Sequence, residues 1–189
     1  MSMLSHTELR KGVKLEINGE PGVIVSSDFV KPGKGQAFTR IKVRSFLTGN
    51  TLEKTVKSNE KMPKADVEER NCQFLYRDGE GYHFMDLSSY DQIALSQEAL
   101  GDAAKWMEEN MEARVLMWKG RAISVELPNF VELEITTCEP GVKGDTAQGT
   151  TKPATLSTGA AINVPLFVNE GQWVRIDTRT GDYMERVKK

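Results

Sequence analysis

Short runs of alternating apolar and polar residues, separated by glycine-containing turns, recur along most of this 189-residue chain. Residues 15–17 and 23–25, for example, flank Asn18-Gly19, and Asn-Gly is a dipeptide typical of two-residue β-hairpin turns. Similar runs predict further strands at residues 37–46, 51–57, 73–76, 82–85, 113–118, 123–127, 131–135, 162–168 and 173–176. The pattern therefore predicts an all-β chain.

One segment departs from the strand pattern. Ser96 is a typical N-cap residue, and residues 97–110 after it are predicted to form a helix. Apolar residues recur there at helical spacing, namely Leu100, Ala103, Ala104, Met107 and Met111. We expect this apolar stripe to face the core rather than a partner.

Prolines mark two breaks between the groups of predicted strands. The charged stretch 58–64 ends near Pro63, and Pro128 interrupts the strands again. We therefore expect three domains, at residues 1–64, 65–128 and 129–189. Each would be a small β-barrel of about 60 residues, and barrels of this kind commonly serve as nucleic-acid modules.

Charge is distributed unevenly over these three segments. The formal net charge of the whole chain is −2, but residues 1–64 carry +6, residues 65–128 carry −7 and residues 129–189 carry −1. A basic end beside an acidic middle favours oriented docking on a polyanion. The acidic middle segment argues against RNA wrapping the chain uniformly.

Lys34 lies at the predicted tip of a hairpin between residues 22–30 and 37–46. Pro32 has a fixed φ and biases the preceding residue towards an extended conformation, while glycines on both sides of Lys34 tolerate positive φ. We expect this loop to present the Lys34 amine to solvent. The other residues of the loop are Lys31, Pro32, Gly33, Gly35 and Gln36.

The strand after this loop carries a basic stripe. Arg40, Lys42 and Arg44 are spaced two residues apart, so that in a strand they share one face with Phe38. Three cations in a row are suited to binding phosphates. The alternative to a binding function is that the loop is an ordinary solvated hairpin loop and the stripe an ordinary solvated strand face.

Several classes of chemistry lack the residues that they need. A phosphate-binding P-loop requires Ser or Thr after Gly-Lys, where this chain has Gly35. A Schiff-base lysine requires an amine kept neutral by burial or by nearby cations, and a glycine-flanked tip gives the amine water instead. The only histidines, His6 and His83, show no metal-ligand or catalytic-triad spacing. We therefore expect no metal, no cofactor and no hydrolase site.

The chain has the composition of a protein from a reducing compartment. Cys72 and Cys138 belong to no Cys-x-x-Cys pair, and we expect them to be small buried thiols. No run of about 18 apolar residues is present, and the first residues have no apolar signal core. We expect a cytoplasmic protein with no membrane contact.

Several separated motifs resemble those of the bacterial elongation factor P family, in order and over essentially the whole chain. The loop around Lys34 with the preceding Asp28-Phe29-Val30 resembles the modified-lysine loop of that family. The other matching motifs lie at residues 65–67, 128–133, 140–146, 152–159, 164–165 and 174–183.

The resemblance implies an N-terminal KOW or SH3-like barrel and two OB-type barrels in an L-shaped, tRNA-like molecule. It implies a translation elongation factor that is no enzyme and acts on ribosomes stalled at consecutive prolines. In that family the lysine matching Lys34 is extended by β-lysylation, and its tip reaches the CCA end of peptidyl-tRNA beside the peptidyl-transferase centre. Some members carry arginine at the tip and receive a sugar, whereas Lys34 with Pro32 is the version associated with lysine-type modification.

The resemblance also implies partners, namely both ribosomal subunits, the acceptor end of peptidyl-tRNA and a lysine-modifying ligase. We expect the chain to act as a monomer. Tyr183 and Arg186 match positions near the small-subunit contacts of the family, and Gly144 and Asp145 match a loop that faces the mRNA side. From the residues alone, these four positions could equally belong to a simple turn and to a solvated C-terminus with no role in binding.

Two functions from other classes also stay open. A general RNA-binding β-barrel protein would account for the basic first segment, although not for motifs spread across the other two. A small lysine-dependent enzyme would use Lys34 as its nucleophile, and borohydride trapping of a carbonyl substrate on that residue would reveal it.

Overall fold

The computed structural model describes residues 2–141 and 150–189, and most of its regular structure is β-strand. The first strands are β1 (Met3–Ser5), β2 (Lys14–Ile17), β3 (Glu20–Val30), β4 (Phe38–Ser45), β5 (Thr51–Lys57) and β6 (Lys61–Pro63), with a 3-10 turn at His6–Glu8. Strands β2 to β5 form an antiparallel sheet in chain order, and β1 pairs with β6. The core of this part consists of Leu9, Leu15, Ile24, Ile41, Val43, Val56 and Met62.

The middle of the chain forms a second sheet. Its elements are β7 (Val67–Arg77), β8 (Tyr82–Asp86), β9 (Gln92–Leu95), the short helix α1 (Gln97–Leu100), a 3-10 segment at Gly101–Trp106, β10 (Glu112–Trp118) and β11 (Arg121–Glu126). The strand order is β11-β10-β7-β8-β9. Aromatic side chains fill part of the interior, where the Phe74 ring lies 5.4 Å from Phe84 and 5.7 Å from Tyr82 between centroids.

The C-terminal part forms a third sheet. Its strands are β12 (Phe130–Cys138), β13 (Thr151–Leu156), β14 (Ala161–Pro165), β15 (Trp173–Asp177) and β16 (Asp182–Val187), in the order β14-β13-β12-β15-β16. Alternate residues of these strands are buried, as in Val131, Leu133 and Ile135 of β12. These three side chains belong to one core with Val174 and Ile176 of β15.

Two hairpin turns have the backbone that their sequences predict. Asn18 and Gly19 have φ of 54° and 80°, and Lys119 and Gly120 have φ of 48° and 75°. Positive φ at both central residues is the type I′ turn, whose twist matches that of the strands it joins. The hairpin predicted around Asn18-Gly19 is thereby confirmed, and Lys119-Gly120 joins β10 to β11 by a turn of the same type.

The helix predicted over residues 97–110 is wrong in length. Ser96 caps it as expected, since its hydroxyl accepts from the Ala99 amide at 3.3 Å, but α1 ends at Leu100. Gly101 has φ of 54° and ψ of −129°, which takes the chain out of the α-helical region. Leu100 and Met107 are nevertheless buried, as the apolar stripe predicts. Trp106, which lies outside that stripe, packs into the C-terminal core.

The chain divides into two compact units. One contains the residues up to Arg70 together with Val115–Ser124, and the other contains Asn71–Arg114 together with Val125–Lys189. The domain boundaries expected at residues 64 and 128 stay predictions. The hairpin that carries Lys34 lies wholly within the first unit.

Candidate functional site

Lys34 lies in the loop that joins strands β3 and β4. Strands β3 and β4 stay paired up to Val30 and Phe38. Residues 20–27 of β3 are buried or half-buried, whereas its last three residues, Asp28, Phe29 and Val30, are exposed. The loop at residues 31–37 follows this last pair, and five of its seven residues, Lys34 among them, are exposed. We refer to β3, β4 and this loop as the Lys34 ribbon; β5 pairs with the other edge of β4 up to Lys57 opposite Phe38.

Lys34 is exposed at the end of this ribbon, as the sequence predicts. Gly35 has φ of +124°, a conformation that side chains with a Cβ rarely adopt. Gly33 does not have positive φ, so only one of the two flanking glycines requires that freedom. Lys31 and Lys34 form no ion pair with any carboxylate in residues 2–141 and 150–189. Their charges are therefore available to a partner.

The basic stripe has the alternation that the sequence predicts. Thr39, Ile41 and Val43 are buried, and the residues between them face solvent. Those exposed residues are Arg40, Lys42 and Arg44. The stripe therefore lies on the outer face of β4 and runs along the ribbon towards Lys34.

Acidic residues on the neighbouring strands reduce the charge of the stripe. Glu53 of β5 has one carboxylate oxygen 3.7 Å from Arg40 Nε and the other 3.9 Å from Lys42 Nζ. Asp28 of β3 pairs across the ladder with Arg40. On the same face, Lys57 stands opposite Phe38. The ladder thus places four cations beside two carboxylates, and Arg44 forms no ion pair within the described part of the chain.

The remaining residues expected to bind RNA lie in the second unit or outside the described residues. Gly144 and Asp145 belong to residues 142–149, which are not described. Tyr183 is half-buried and packs against the C-terminal core. Arg186 is exposed, with its guanidinium carbon 5.4 Å from the centre of the Phe167 ring. For Tyr183 the packing supplies a structural role, whereas Arg186 remains exposed although it lies over the Phe167 ring.

Two of the family-like motifs hold each other in place. The side chain of Thr178 donates to the carbonyl of Pro128 at 2.7 Å, and its amide donates to the carbonyl of Asn129 at 2.9 Å. Arg179 donates to both carboxylate oxygens of Asp177, at 3.0 and 2.8 Å, and its guanidinium lies 5.6 Å from the Phe130 ring centre. Residues 128–130 and 177–179 therefore act as structural parts of the C-terminal barrel.

We expect Asp177→Asn to destabilise this barrel at neutral pH. The hydrogen bonds from the Arg179 side chain lower the pKa of Asp177 in the folded state, so ionised Asp177 stabilises the fold above the unfolded pKa of about 3.9. That contribution is lost as pH falls through the lower, folded pKa. Urea unfolding should therefore show a deficit for Asp177→Asn at pH 7 that shrinks below about pH 4.

Asp182→Asn is the matched control for this prediction. Asp182 pairs with Asp177 across the same turn and is exposed, so its removal takes away one carboxylate without removing the Arg179 contact. We expect that variant to be as stable as the parent or slightly more stable. Equal losses in both variants, or a deficit independent of pH, would contradict the account.

His83 contacts two neighbouring side chains, Asp78 and Tyr76. Its Nε2 lies 2.9 Å from Asp78 Oδ2, and its ring stacks on Tyr76 with 4.5 Å between centroids. The His83 side chain is the main cause that lowers the pKa of Asp78. Among residues 2–141 and 150–189, no group of three His, Cys, Asp or Glu could hold a metal ion, and no helix is long and apolar enough to cross a membrane.

The three sheets define the chain as a modular β protein built from small domains in series. Comparison with known families identifies which domains these are. Family models match residues 5–62 (elongation factor P KOW-like domain), 67–125 (elongation factor P OB domain) and 131–186 (elongation factor P, C-terminal). The chain belongs to the elongation factor P family, which makes it a translation elongation factor. The resemblance and the fold class expected from the sequence are confirmed.

Full-length relatives support this assignment. Elongation factor P of Magnetococcus marinus is 53% identical over 186 residues, covering 98% of this chain and 100% of that protein. Elongation factor P of Pectobacterium atrosepticum is 52% identical over 188 residues, covering 100% of both. A solved structure titled eukaryotic translation initiation factor 5A from Methanococcus jannaschii has a TM-score of 0.51 at 22% identity, covers 67% of this chain and 94% of its own, and shares the fold.

Proposed function

We propose that this elongation factor binds the ribosome beside peptidyl-tRNA and promotes peptide-bond formation at consecutive prolines, using a post-translationally extended Lys34. The observation that carries the proposal is the exposed position of Lys34 at the tip of the hairpin between β3 and β4. The loop around it resembles the modified-lysine loop of the family. A basic stripe leads along the same ribbon to this tip.

The proposed action is positional and needs no catalytic group. Proline is a rigid and poor participant in peptide transfer, so holding peptidyl-tRNA in a reactive geometry lowers an entropic part of the barrier. Arg40, Lys42 and Arg44 would bind phosphates of the tRNA acceptor end. Lys34 would then reach the CCA end without forming or breaking a bond to the substrate.

Modification of Lys34 fits its surroundings. A lysine amine on a flexible four-carbon stem, flanked by glycines and exposed, is open to a lysine-modifying ligase. An added β-lysyl group would extend the side chain and supply a second amine. Both changes would favour contact with RNA farther from the ribbon than the unmodified side chain reaches.

The remaining proposals concern partners and organisation. We propose that the factor acts in the cytoplasm as a monomer, that three domains divide at residues 64 and 128, and that it contacts both ribosomal subunits. Arg186 and Tyr183 would lie near the small subunit, and the loop with Gly144 and Asp145 would face the mRNA side. Arg186 is the strongest of these candidates, since its side chain is exposed.

Co-sedimentation with ribosomes tests the proposal against general RNA binding. We expect the protein to pellet with ribosomes that carry peptidyl-tRNA, and to resist competition by an excess of unrelated structured RNA. A general RNA-binding protein would be displaced by that competitor in proportion to its phosphate concentration. Displacement of that kind would contradict the proposed function.

A further inference from the structure

A second surface of the Lys34 ribbon has the features of a binding site. Phe29 is 57% exposed at the outer end of β3, and its ring stacks on His6 with centroids 6.0 Å apart and planes inclined by 27°. Phe29 thus presents an exposed aromatic ring, and the half-buried imidazole of His6 supports it from one side. The basic residues beside it are Arg10 and Lys11.

This pair lies on the opposite face of the ribbon from the basic stripe. Phe29 pairs across the ladder with Thr39, whereas Asp28 pairs with Arg40. Residues directly opposite in an antiparallel ladder share a face, and successive residues alternate between faces. Phe29 therefore shares the face of the buried Thr39, and a partner bound there would not compete with one bound at Arg40.

The surroundings of the pair are fixed before any partner binds. The Thr39 hydroxyl donates to the carbonyl of His6 at 3.0 Å, and the hydroxyl of Ser27 donates to the carbonyl of Leu9. These bonds attach the N-terminal 3-10 turn to the ribbon. Nδ1 of His6 is buried and has no hydrogen-bond partner in residues 2–141 and 150–189. The imidazole ring contacts Phe29 by stacking.

An open cavity of about 420 Å³ lies between the pair and the turn. This volume falls within the roughly 300–1,000 Å³ typical of small-molecule sites. Among the described residues that line the cavity none is Asp or Glu, while Arg10 and Lys11 are part of the lining. Within the described residues neither cation forms an ion pair, and Glu8 nearby is engaged by the amide and hydroxyl of Ser5 at 2.8 and 2.7 Å.

We propose that His6 and Phe29 form a stacking platform for one unpaired RNA base, with Arg10 and Lys11 binding the adjoining phosphate. Aromatic rings accept any base by stacking, and flanking cations track the backbone. The ribbon would then contact RNA on both faces, with Lys34 at the tip between them. The inference rests on the proposed function only in taking RNA as the partner, and it requires neither modification of Lys34 nor proline-rich substrates.

Titration of the ¹⁵N-labelled full chain with adenosine monophosphate, followed by amide chemical shifts, tests the platform. We expect shifts at Phe29, Thr39 and Leu9, and binding roughly tenfold weaker for ribose 5-phosphate, which has the phosphate but no base to stack. Phe29→Ala should weaken binding of adenosine monophosphate to the level of ribose 5-phosphate, and Phe29→Tyr should retain it. Lys11→Ala should weaken both probes.

Tyr90→Asn is the matched control, because it removes another exposed aromatic ring, 72% exposed, from the other compact unit. Phe29 is mostly exposed, so its truncation leaves the core of the barrel intact, and the spectrum of each free variant reports its fold. Equal affinities for the two probes, shifts confined to the stripe, or unchanged binding by Phe29→Ala would overturn the inference. Concentration-dependent broadening at the platform without nucleotide would also overturn it, since a second copy of the chain would then cover the surface.

The outcome is separable from that of the proposed function. Failure of nucleotide binding while Lys34 still governs peptide-bond formation at prolines would overturn the platform alone. Nucleotide binding at the platform without any dependence of that reaction on Lys34 would overturn the proposed function alone.

Discussion

Lys34→Ala is expected to abolish rescue of ribosomes stalled at three consecutive prolines while leaving the protein folded. The side chain is exposed and pairs with no carboxylate in the described part of the chain, so its loss should change the free energy of unfolding by no more than about 0.5 kcal/mol. A reporter with a triple-proline insert measures the rescue, and urea unfolding measures the stability. Full activity of the variant would contradict the proposed role.

Lys34→Arg separates the charge from the modification. Arginine keeps the positive charge but cannot accept an aminoacyl group from a lysine-directed ligase. Loss of rescue in both variants would point to the modification, and survival of Lys34→Arg alone would show that charge suffices. The intact mass of the parent protein, purified from its own host, reports whether Lys34 carries the added group.

Reversing two charges of the stripe is expected to give the second large effect. In Arg40→Glu/Lys42→Glu, two new carboxylates would stand beside Glu53 and opposite Asp28, so this face would repel phosphates. We expect ribosome binding to fall steeply, and each lost phosphate contact to reduce the slope of log affinity against log salt by about 0.7 to 0.9. The paired glutamine variants test the same contacts without adding charge.

Glu53→Gln is the opposite test of the stripe. Glu53 lies within 4 Å of both Arg40 and Lys42, so its neutralisation should free these cations and strengthen ribosome binding at low salt. Glu16→Gln, which removes the same charge from β2, is the matched control and should have a smaller effect. If neither reversal nor neutralisation alters binding or its salt dependence, the stripe is a solvated strand face.

Local signals in the sequence predict the hairpins of the first sheet well. Asn18-Gly19 forms the type I′ turn typical of that dipeptide, because only a few residue types adopt positive φ at both positions. The period-two pattern of Thr39, Ile41 and Val43 predicts which side of β4 is buried, and hence which side carries the cations. The glycines on both sides of Lys34 predict a tight, exposed turn, and Gly35 has the positive φ that such a turn uses.

Features that depend on contacts between distant residues could not be predicted in this way. Apolar spacing over residues 97–110 predicts a long helix, but Gly101 and the packing of Trp106 into the C-terminal core limit it to one turn. Nothing in the local sequence pairs Glu53 with Arg40, since that contact depends on the register of β4 and β5. The stacking of His6 on Phe29 likewise joins residues that the chain separates by a whole β-hairpin.

The rate of a single peptide bond between two prolines tests the central claim most directly. Reconstituted ribosomes would carry a peptidyl-tRNA whose peptide ends in proline, and prolyl-tRNA would be supplied. Quench-flow would follow bond formation in the presence of the modified parent, the unmodified parent or Lys34→Ala. We predict that the modified parent accelerates this step strongly, that Lys34→Ala does not, and that a bond between two phenylalanines is unaffected. Equal acceleration by the modified parent and Lys34→Ala would contradict the account.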